Sequence, residues 1–314
     1  MSELFGPVTA DLAELEERLR RSFADDPDSA AGPMADLFAA GGKRLRPALL
    51  LLAANLGRYD FEHLAPAAMA VELVHAATLV HDDVIDRAAT RRGRPTVAAS
   101  AGAEAAIVIG DHYFAKAYRE ASRTGDAAVV EELAHAVMLI CAGELEQQAE
   151  RWSWRVDHQR YLRRIEGKTA VLLAAACRVG GRLGGLDRDG QQALGRYGTA
   201  LGLAFQIADD VLDYTGTEAE LGKPVGQDLR EGMATLPLLL SPGAADHLID
   251  GSPPDPATAT EVIAAVRAGP GPERALAEAR RHAAEAEAAL ERFGQSEAAA
   301  ALRALAAYVV ARRL

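Results

Sequence analysis

The chain is poor in cysteine, in long apolar runs, in positive charge and in strand-like alternation, and each shortage excludes something. Two cysteines among 314 residues, Cys141 and Cys177, build neither a disulfide framework nor a thiolate metal site. Both lie in apolar helical patterns and are expected as buried, reduced thiols. No stretch approaches the ~18 apolar residues of a membrane span, and the longest candidates, such as 170–177, have core-helix length. Met1-Ser2-Glu3-Leu4 is not a basic segment followed by an apolar run, so no signal peptide is visible and the cytoplasm is the expected compartment. A net charge of −11 argues against nonspecific nucleic-acid binding. No repeat of solenoid period is evident.

What is present is helix. Leu12, Leu15 and Leu19 recur at helical spacing, as do Leu73, Ala76, Ala77 and Val80, and Leu201, Phe205, Ala208 and Leu212. Abundant alanine favours helix throughout. The nearest thing to a strand, Thr96-Val97-Ala98, is too short, so the expected fold class is all-α. Glycine and proline mark breaks at Gly41-Gly42, Gly93-Arg94-Pro95, Gly180-Gly181 with Gly184-Gly185, and Gly222-Lys223-Pro224. The proline-rich segment 241–260 reads as a flexible loop. The residues beyond it form about two helices, too thin for a separate core, so 1–314 is expected to be a single domain. The stripe Leu302, Leu305, Val309 and Val310 suits packing better than a membrane surface, and no stable membrane insertion is expected.

Two acidic clusters stand out. In Asp82-Asp83-Val84-Ile85-Asp86, the first and last aspartates are one helical turn apart and share a face. Asp209-Asp210-Val211-Leu212-Asp213 repeats the spacing. Both sit in apolar helix, where carboxylates repel one another and are costly to bury unpaired. One copy alone reads as a solvated helix end; two in the same context favour a metal site. The oxygen alternation and central glycine of a calcium loop are missing, whereas carboxylates on helices suit magnesium, which completes its shell with water and phosphate. Phosphate needs cations, and basic residues occur at breaks: Gly41-Gly42-Lys43-Arg44-Leu45-Arg46-Pro47, Arg91-Arg92-Gly93, Gly167-Lys168-Thr169 and Gly222-Lys223-Pro224. The first is not a Walker loop. Carboxylates for magnesium together with basic turns imply a diphosphate substrate.

These segments, with Glu72-Leu73-Val74-His75, Phe205-Gln206 and 222–229, resemble the trans-isoprenyl diphosphate synthase (polyprenyl synthetase) family, in family order from Gly41 to about Leu240. The resemblance implies an isoprenoid-synthase-type helical bundle around a deep central cavity, in a homodimer. It implies that an allylic diphosphate ionises with three magnesium ions bound, that isopentenyl diphosphate attacks the cation, and that proton loss completes the product. By this resemblance Asp82, Asp83, Asp86, Asp209, Asp210 and Asp213 hold the metals. Arg91, Lys168 and Lys223 bind the allylic diphosphate. Lys43, Arg46, His75 and Arg92 bind the isopentenyl diphosphate, with Phe205 nearby. Thr169 and Gln206 turn oxygen dipoles to the carbocation. Gln147 stands where short-chain members often carry aspartate, and Met233 where many carry lysine.

Members that stop at fifteen carbons typically place an aromatic residue four or five positions before the first aspartate. Here those positions hold Thr78 and Ala77, with Val74 a turn further back, and small side chains leave room for a tail. Products of twenty carbons or longer are expected, leaning to the long-chain type. Two rivals remain. A class I terpene cyclase shares the first cluster but normally replaces the second. A non-catalytic partner subunit of a heteromeric synthase generally loses both.

Overall fold

The computed structural model describes residues 2–39, 41–42, 44–218 and 224–311. Helices α1 (Thr9–Ser22), α2 (Asp28–Ala39), α3 (Leu45–Ala54), α4 (Phe61–Ile85), α5 (Val97–Ala101), α6 (Ala103–Ser122), α7 (Ala127–Glu150), α8 (His158–Ile165), α9 (Val171–Leu183) and α10 (Arg188–Thr215) follow in order. A π-helical turn, Glu166–Ala170, joins α8 to α9. Further helices include Gln227–Arg230, Leu236–Leu239, Pro256–Ala268, Gly271–Ala289 and Glu297–Ala311. The fold is all-α. The β structure among the described residues is a hairpin of β1 (Thr90–Arg91) and β2 (Arg94–Pro95). Arg92 (φ 51°) and Gly93 (φ 74°) turn it, matching the positive φ that a tight two-residue hairpin loop requires. Two-residue strands are too short to show alternation in a sequence.

The chain forms two compact units. One comprises Met1–Val137, Ala175–Leu194 and Phe293–Leu302; the second comprises Met138–Ala174, Gly195–Arg292 and Arg303–Leu314.

In the first unit α4 is the central element, packed along α6 and α3. Its N-cap, Asp60, accepts the Glu62 N–H at 3.1 Å. By length and composition α4 could cross a membrane, which corrects the expectation that no segment reaches that size. Most of its apolar window is buried inside the protein, as a core helix requires. A second correction concerns Gly180-Gly181, expected as a break but lying inside α9. A Cβ on Gly180 would stand 2.1 Å from the Leu50 carbonyl oxygen, so glycine is there for the contact of α9 with α3. The N-terminal arm is pinned by Asp26, which accepts from Lys116 Nζ, from His112 Nε2 at 3.0 Å and from the Tyr113 hydroxyl at 2.8 Å.

The second unit holds two apolar clusters. Trp154, Tyr214, Leu229, Leu238 and Val266 anchor one; Tyr161, Ile207, Leu236, Ala275 and Ala279 anchor the other. Within 241–260, Ala244 and Leu248 are buried in the first cluster, and residues 256–260 are the opening turn of Pro256–Ala268. Leu305 and Val309 here, and Leu302 in the first unit, are buried as expected, with Val310 partly so. Cys177 is buried, but Cys141 is exposed, contrary to expectation, because that face of α7 is uncovered.

Candidate active site

The first acidic cluster sits where α4 ends. Asp82 and Asp83 lie in its last turn, and Asp86 is the C-cap, its N–H bonded to the Asp82 carbonyl at 2.8 Å. Arg87 then adopts a left-handed conformation (φ 52°), and the Ala88 N–H reaches the Asp83 carbonyl at 3.0 Å, the closing bonds of a Schellman turn. A helix C-terminus carries partial negative charge, so each carboxylate there costs about 0.3–1 kcal/mol unless a cation offsets it. Arg91 supplies one such charge. Its Nε and Nη2 fork onto the buried Asp83 carboxylate at 2.8–3.1 Å.

Arg44, Arg46, Arg91 and Arg92 surround His75 in this unit. Burial first, then these four charges, hold its imidazole well below the ordinary value, so the ring is neutral at pH 7. Arg44 is tied down at 2.9 Å by the buried Glu72, at 3.3 Å by Glu16 and at 3.2 Å by the Phe38 carbonyl. Arg46 differs. Its Nε is buried with no hydrogen-bond partner among the described residues. Burial pushes its guanidinium down to about 10, against the pull of Glu72, and it stays charged at neutral pH. Burial and then Arg91 and Arg44 also press Arg92 downward.

The second cluster occupies the last two turns of α10. Asp210 is buried and accepts from the Tyr161 hydroxyl at 2.7 Å and from Gln206 Nε2 at 2.8 Å. The Thr169 hydroxyl donates to Gln206 Oε1 at 2.8 Å. Burial pushes Asp210 up to about 6, while Gln206, Tyr161 and the Arg164 charge pull the other way. Arg164 is itself buried between Glu150, at 3.0 Å, and the Ala234 carbonyl, at 2.7 Å. Asp213 accepts the Asp228 N–H at 3.1 Å. Lys168 and Thr169 ride on the π-turn, whose extra residue re-aims both side chains. Lys168 Nζ lies 2.7 Å from Glu144.

Two acidic helix ends, each with its own cations, match the polyprenyl synthetase family model, which fits residues 28–248. The chain belongs to the polyprenyl synthetase family. Relatives extend the match to almost its whole length. It is 38% identical to heptaprenyl diphosphate synthase component 2 of Geobacillus stearothermophilus, covering 98% of each chain. It is 35% identical to nonaprenyl diphosphate synthase of Mycobacterium tuberculosis, covering 97% of this chain and 93% of that one. The structure of a polyprenyl synthase from Caulobacter crescentus, complexed with calcium and isoprenyl diphosphate, superposes with a TM-score of 0.92 at 34% identity, covering 100% of this chain and 98% of that one. The protein is a trans-prenyltransferase with the isoprenoid-synthase fold.

In this polyprenyl synthetase the expected residues fall into two groups by unit. The first holds Arg46, His75, Asp82, Asp83, Asp86, Arg91 and Arg92, with the arginines near His75 and Arg91 on Asp83; the second holds Lys168, Thr169, Phe205, Gln206, Asp209, Asp210 and Asp213, with Thr169, Gln206 and Asp210 in one hydrogen-bonded row. Lys43 and Lys223 lie outside the described residues. Thr78 is partly exposed on the same stripe of α4 as Asp82, its hydroxyl bonded to the His75 carbonyl at 2.7 Å. Ala77 and Val74 expose no surface. Gln147 Nε2 sits 3.4 Å from Glu144, and the Met233 N–H bonds the Asp228 carbonyl at 2.8 Å. Tyr161, Glu144, Glu150 and Arg164 were not foreseen, since nothing local marks them. Glu72 carries a signal, an acid within an apolar helix, and it holds Arg44.

Among the described residues, no cluster of three or more His, Cys, Asp or Glu side chains forms a metal cage. The donors are hard carboxylate oxygens at negative helix ends. That set fits magnesium, which takes one or two carboxylates and completes its shell from substrate and water.

Proposed function

We propose that this chain is a magnesium-dependent synthase that joins isopentenyl diphosphate head-to-tail with an allylic diphosphate, giving trans-polyprenyl diphosphates of twenty carbons or longer. The observation that carries the reading is Arg46. A half-buried guanidinium whose buried Nε has no partner among the described residues, beside a neutral His75 and the positive-φ turn at Arg92, is a cradle that a diphosphate would complete. Arg46, His75 and Arg92, with Lys43, are proposed to bind isopentenyl diphosphate; Arg91, Lys168 and Lys223 are proposed to bind the allylic diphosphate.

Carboxylates of both clusters would hold magnesium, proposed as three ions, which neutralises charge on the departing diphosphate. The allylic C–O bond breaks with its electron pair leaving on the diphosphate. Gln206 Oε1 and the Thr169 oxygen stabilise the cation by their dipoles. The isopentenyl double bond then attacks, and loss of a proton restores neutrality. The lean to long products rests on Thr78, small and partly exposed beside Asp82, and on the heptaprenyl and nonaprenyl relatives.

Residues 1–314 are proposed as one domain, since α7, α9 and α10 are each divided between the two units, and the cytoplasm as its compartment. A homodimer is also proposed. Met138, Cys141, Ala142, Leu145 and Ala149 make one exposed face of α7, with Met138 69% and Leu145 72% exposed, and such an apolar stripe calls for a partner. The name component 2 of the Geobacillus relative raises the alternative of a heteromeric synthase. Light scattering should give twice 33.2 kDa for the purified chain and a monomer for Leu145→Glu. A wild-type monomer would sink the dimer and favour the heteromeric reading.

Product analysis tests the function. Labelled isopentenyl diphosphate and magnesium, with five- to twenty-carbon allylic primers in separate reactions, should yield chains beyond fifteen carbons, and Thr78→Phe should shorten them. Mainly fifteen-carbon product from the wild type would overturn the chain-length reading. No incorporation by folded protein would overturn catalysis by this chain alone.

A further inference from the structure

We infer that Tyr161 is a positioning residue for catalysis, acting through Asp210 to fix which way the Gln206 side-chain amide faces. The inference rests on the synthase reading above and adds a residue to it.

The donor and acceptor logic allows one arrangement. An ionised Asp210 only accepts hydrogen bonds. One of its oxygens takes the Tyr161 hydroxyl at 2.7 Å. The other, 2.8 Å from Gln206, must therefore meet the amide nitrogen, which is the donor end. That turns Gln206 Oε1 toward Thr169, and the Thr169 hydroxyl, 2.8 Å away, must donate to it. The four side chains thus form one directional chain from α8 through α10 to the π-turn. Reversing the amide would set two acceptors against each other at Asp210, a buried mismatch costing a large part of a hydrogen bond.

Tyr161 is the fixed end of this chain. Its ring is fully buried in the cluster with Ile207 and Leu236, and the Arg164 guanidinium carbon lies 5.5 Å from its centre. The hydroxyl oxygen is therefore held in place with the ring. Without it, the Asp210 carboxylate can swing about its terminal torsion, since only Gln206 would remain to hold it among the side-chain hydrogen bonds described. Gln206 would then lose its fixed orientation, and with it the alignment of the oxygen dipole. Tyr161 acts through Asp210 and needs no contact of its own with substrate or ion.

The test is a double-mutant cycle. Tyr161→Phe keeps the ring and removes the donor. It should lower kcat about tenfold with KM for both diphosphates within about twofold, because the dipole acts on the cation formed in the transition state. Its melting temperature should stay within about 5 °C of wild type. In a Gln206→Ala background the same change should cost less than about twofold in kcat, since the group it positions is gone. Equal losses in both backgrounds, or an unchanged kcat in the single variant, would overturn the inference. So would a higher magnesium half-saturation with kcat intact, which would make Tyr161 a support for a metal ligand. Wild-type turnover in the same assay separates failure here from failure of the synthase reading.

Discussion

Asp82→Ala and Asp209→Ala should each lower kcat by about 10²–10³-fold, the scale seen when one preorganised group is removed from a charge-stabilising site. The helix-dipole contribution to stability should improve slightly in the same variants. Both aspartates lie within the last turns of their helices, α4 ending at Ile85 and α10 at Thr215. A carboxylate there opposes the helix dipole by about 0.3–1 kcal/mol. Losing activity while holding or gaining melting temperature is the signature of a residue kept for function at the expense of stability. Steady-state kinetics with both diphosphates, beside thermal unfolding without ligand, checks the pair of expectations. A melting temperature lowered by several degrees would mean that the aspartates hold the fold together, and the activity loss would carry no catalytic meaning. Asp83 stands between the other two aspartates of the first cluster. Its carboxylate already carries the Arg91 fork, so Asp83→Asn should lose stability along with activity.

The largest effect on stability is expected far from the acidic clusters. Lys116→Met should cost about 3–5 kcal/mol, the range for breaking a buried ion pair from one side. Lys116 and Asp26 side chains are 3% and 6% exposed, so water cannot replace the lost partner. Lys116 also donates to the Ser22 carbonyl at 2.6 Å, which would be left without that donor. The pH dependence follows from Asp26. Burial raises its pKa, but the hydrogen bonds from Lys116, His112 and Tyr113 win and hold the carboxyl below the usual range. Its contribution is therefore complete above the unfolded carboxylate value, near 4, and fades as pH falls through the lower folded value. In Lys116→Met the lysine's share is gone and the buried carboxylate keeps only His112 and Tyr113. The gap to wild type should shrink as Asp26 takes a proton, so urea unfolding at pH 8 and pH 3 should show the larger difference at pH 8. A gap independent of pH would show that lost packing, not charge, sets the cost.

Much of this was legible from spacing alone. The two Asp-Asp-x-x-Asp repeats could be read because four residues on a helix make one face, whatever surrounds it. Arg91-Arg92-Gly93 could be read as a basic turn, and the turn turned out to be a hairpin that holds Arg92 at φ 51°. The failures have equally local causes. Gly180-Gly181 looked like punctuation because glycine favours breaks, yet its purpose is to let α9 meet the Leu50 carbonyl. Cys141 looked buried because its neighbours are apolar, but the face of α7 that they form is exposed. α4 escaped notice as a long apolar helix because Glu72 and His75 interrupt its composition without interrupting its burial.

Residue order alone determined the helical class, both acidic clusters and the diphosphate chemistry, because period and charge are properties of neighbours along the chain. Tertiary packing decided the rest. It set Tyr161, 49 residues away in sequence, against Asp210, and Arg164 against Glu150 and Ala234. It tied Arg44 to Glu72 and left Arg46 Nε without a partner among the described residues. Which charges are satisfied and which still call for a ligand depends on distance and burial. Both arise only when segments remote in sequence are brought into contact.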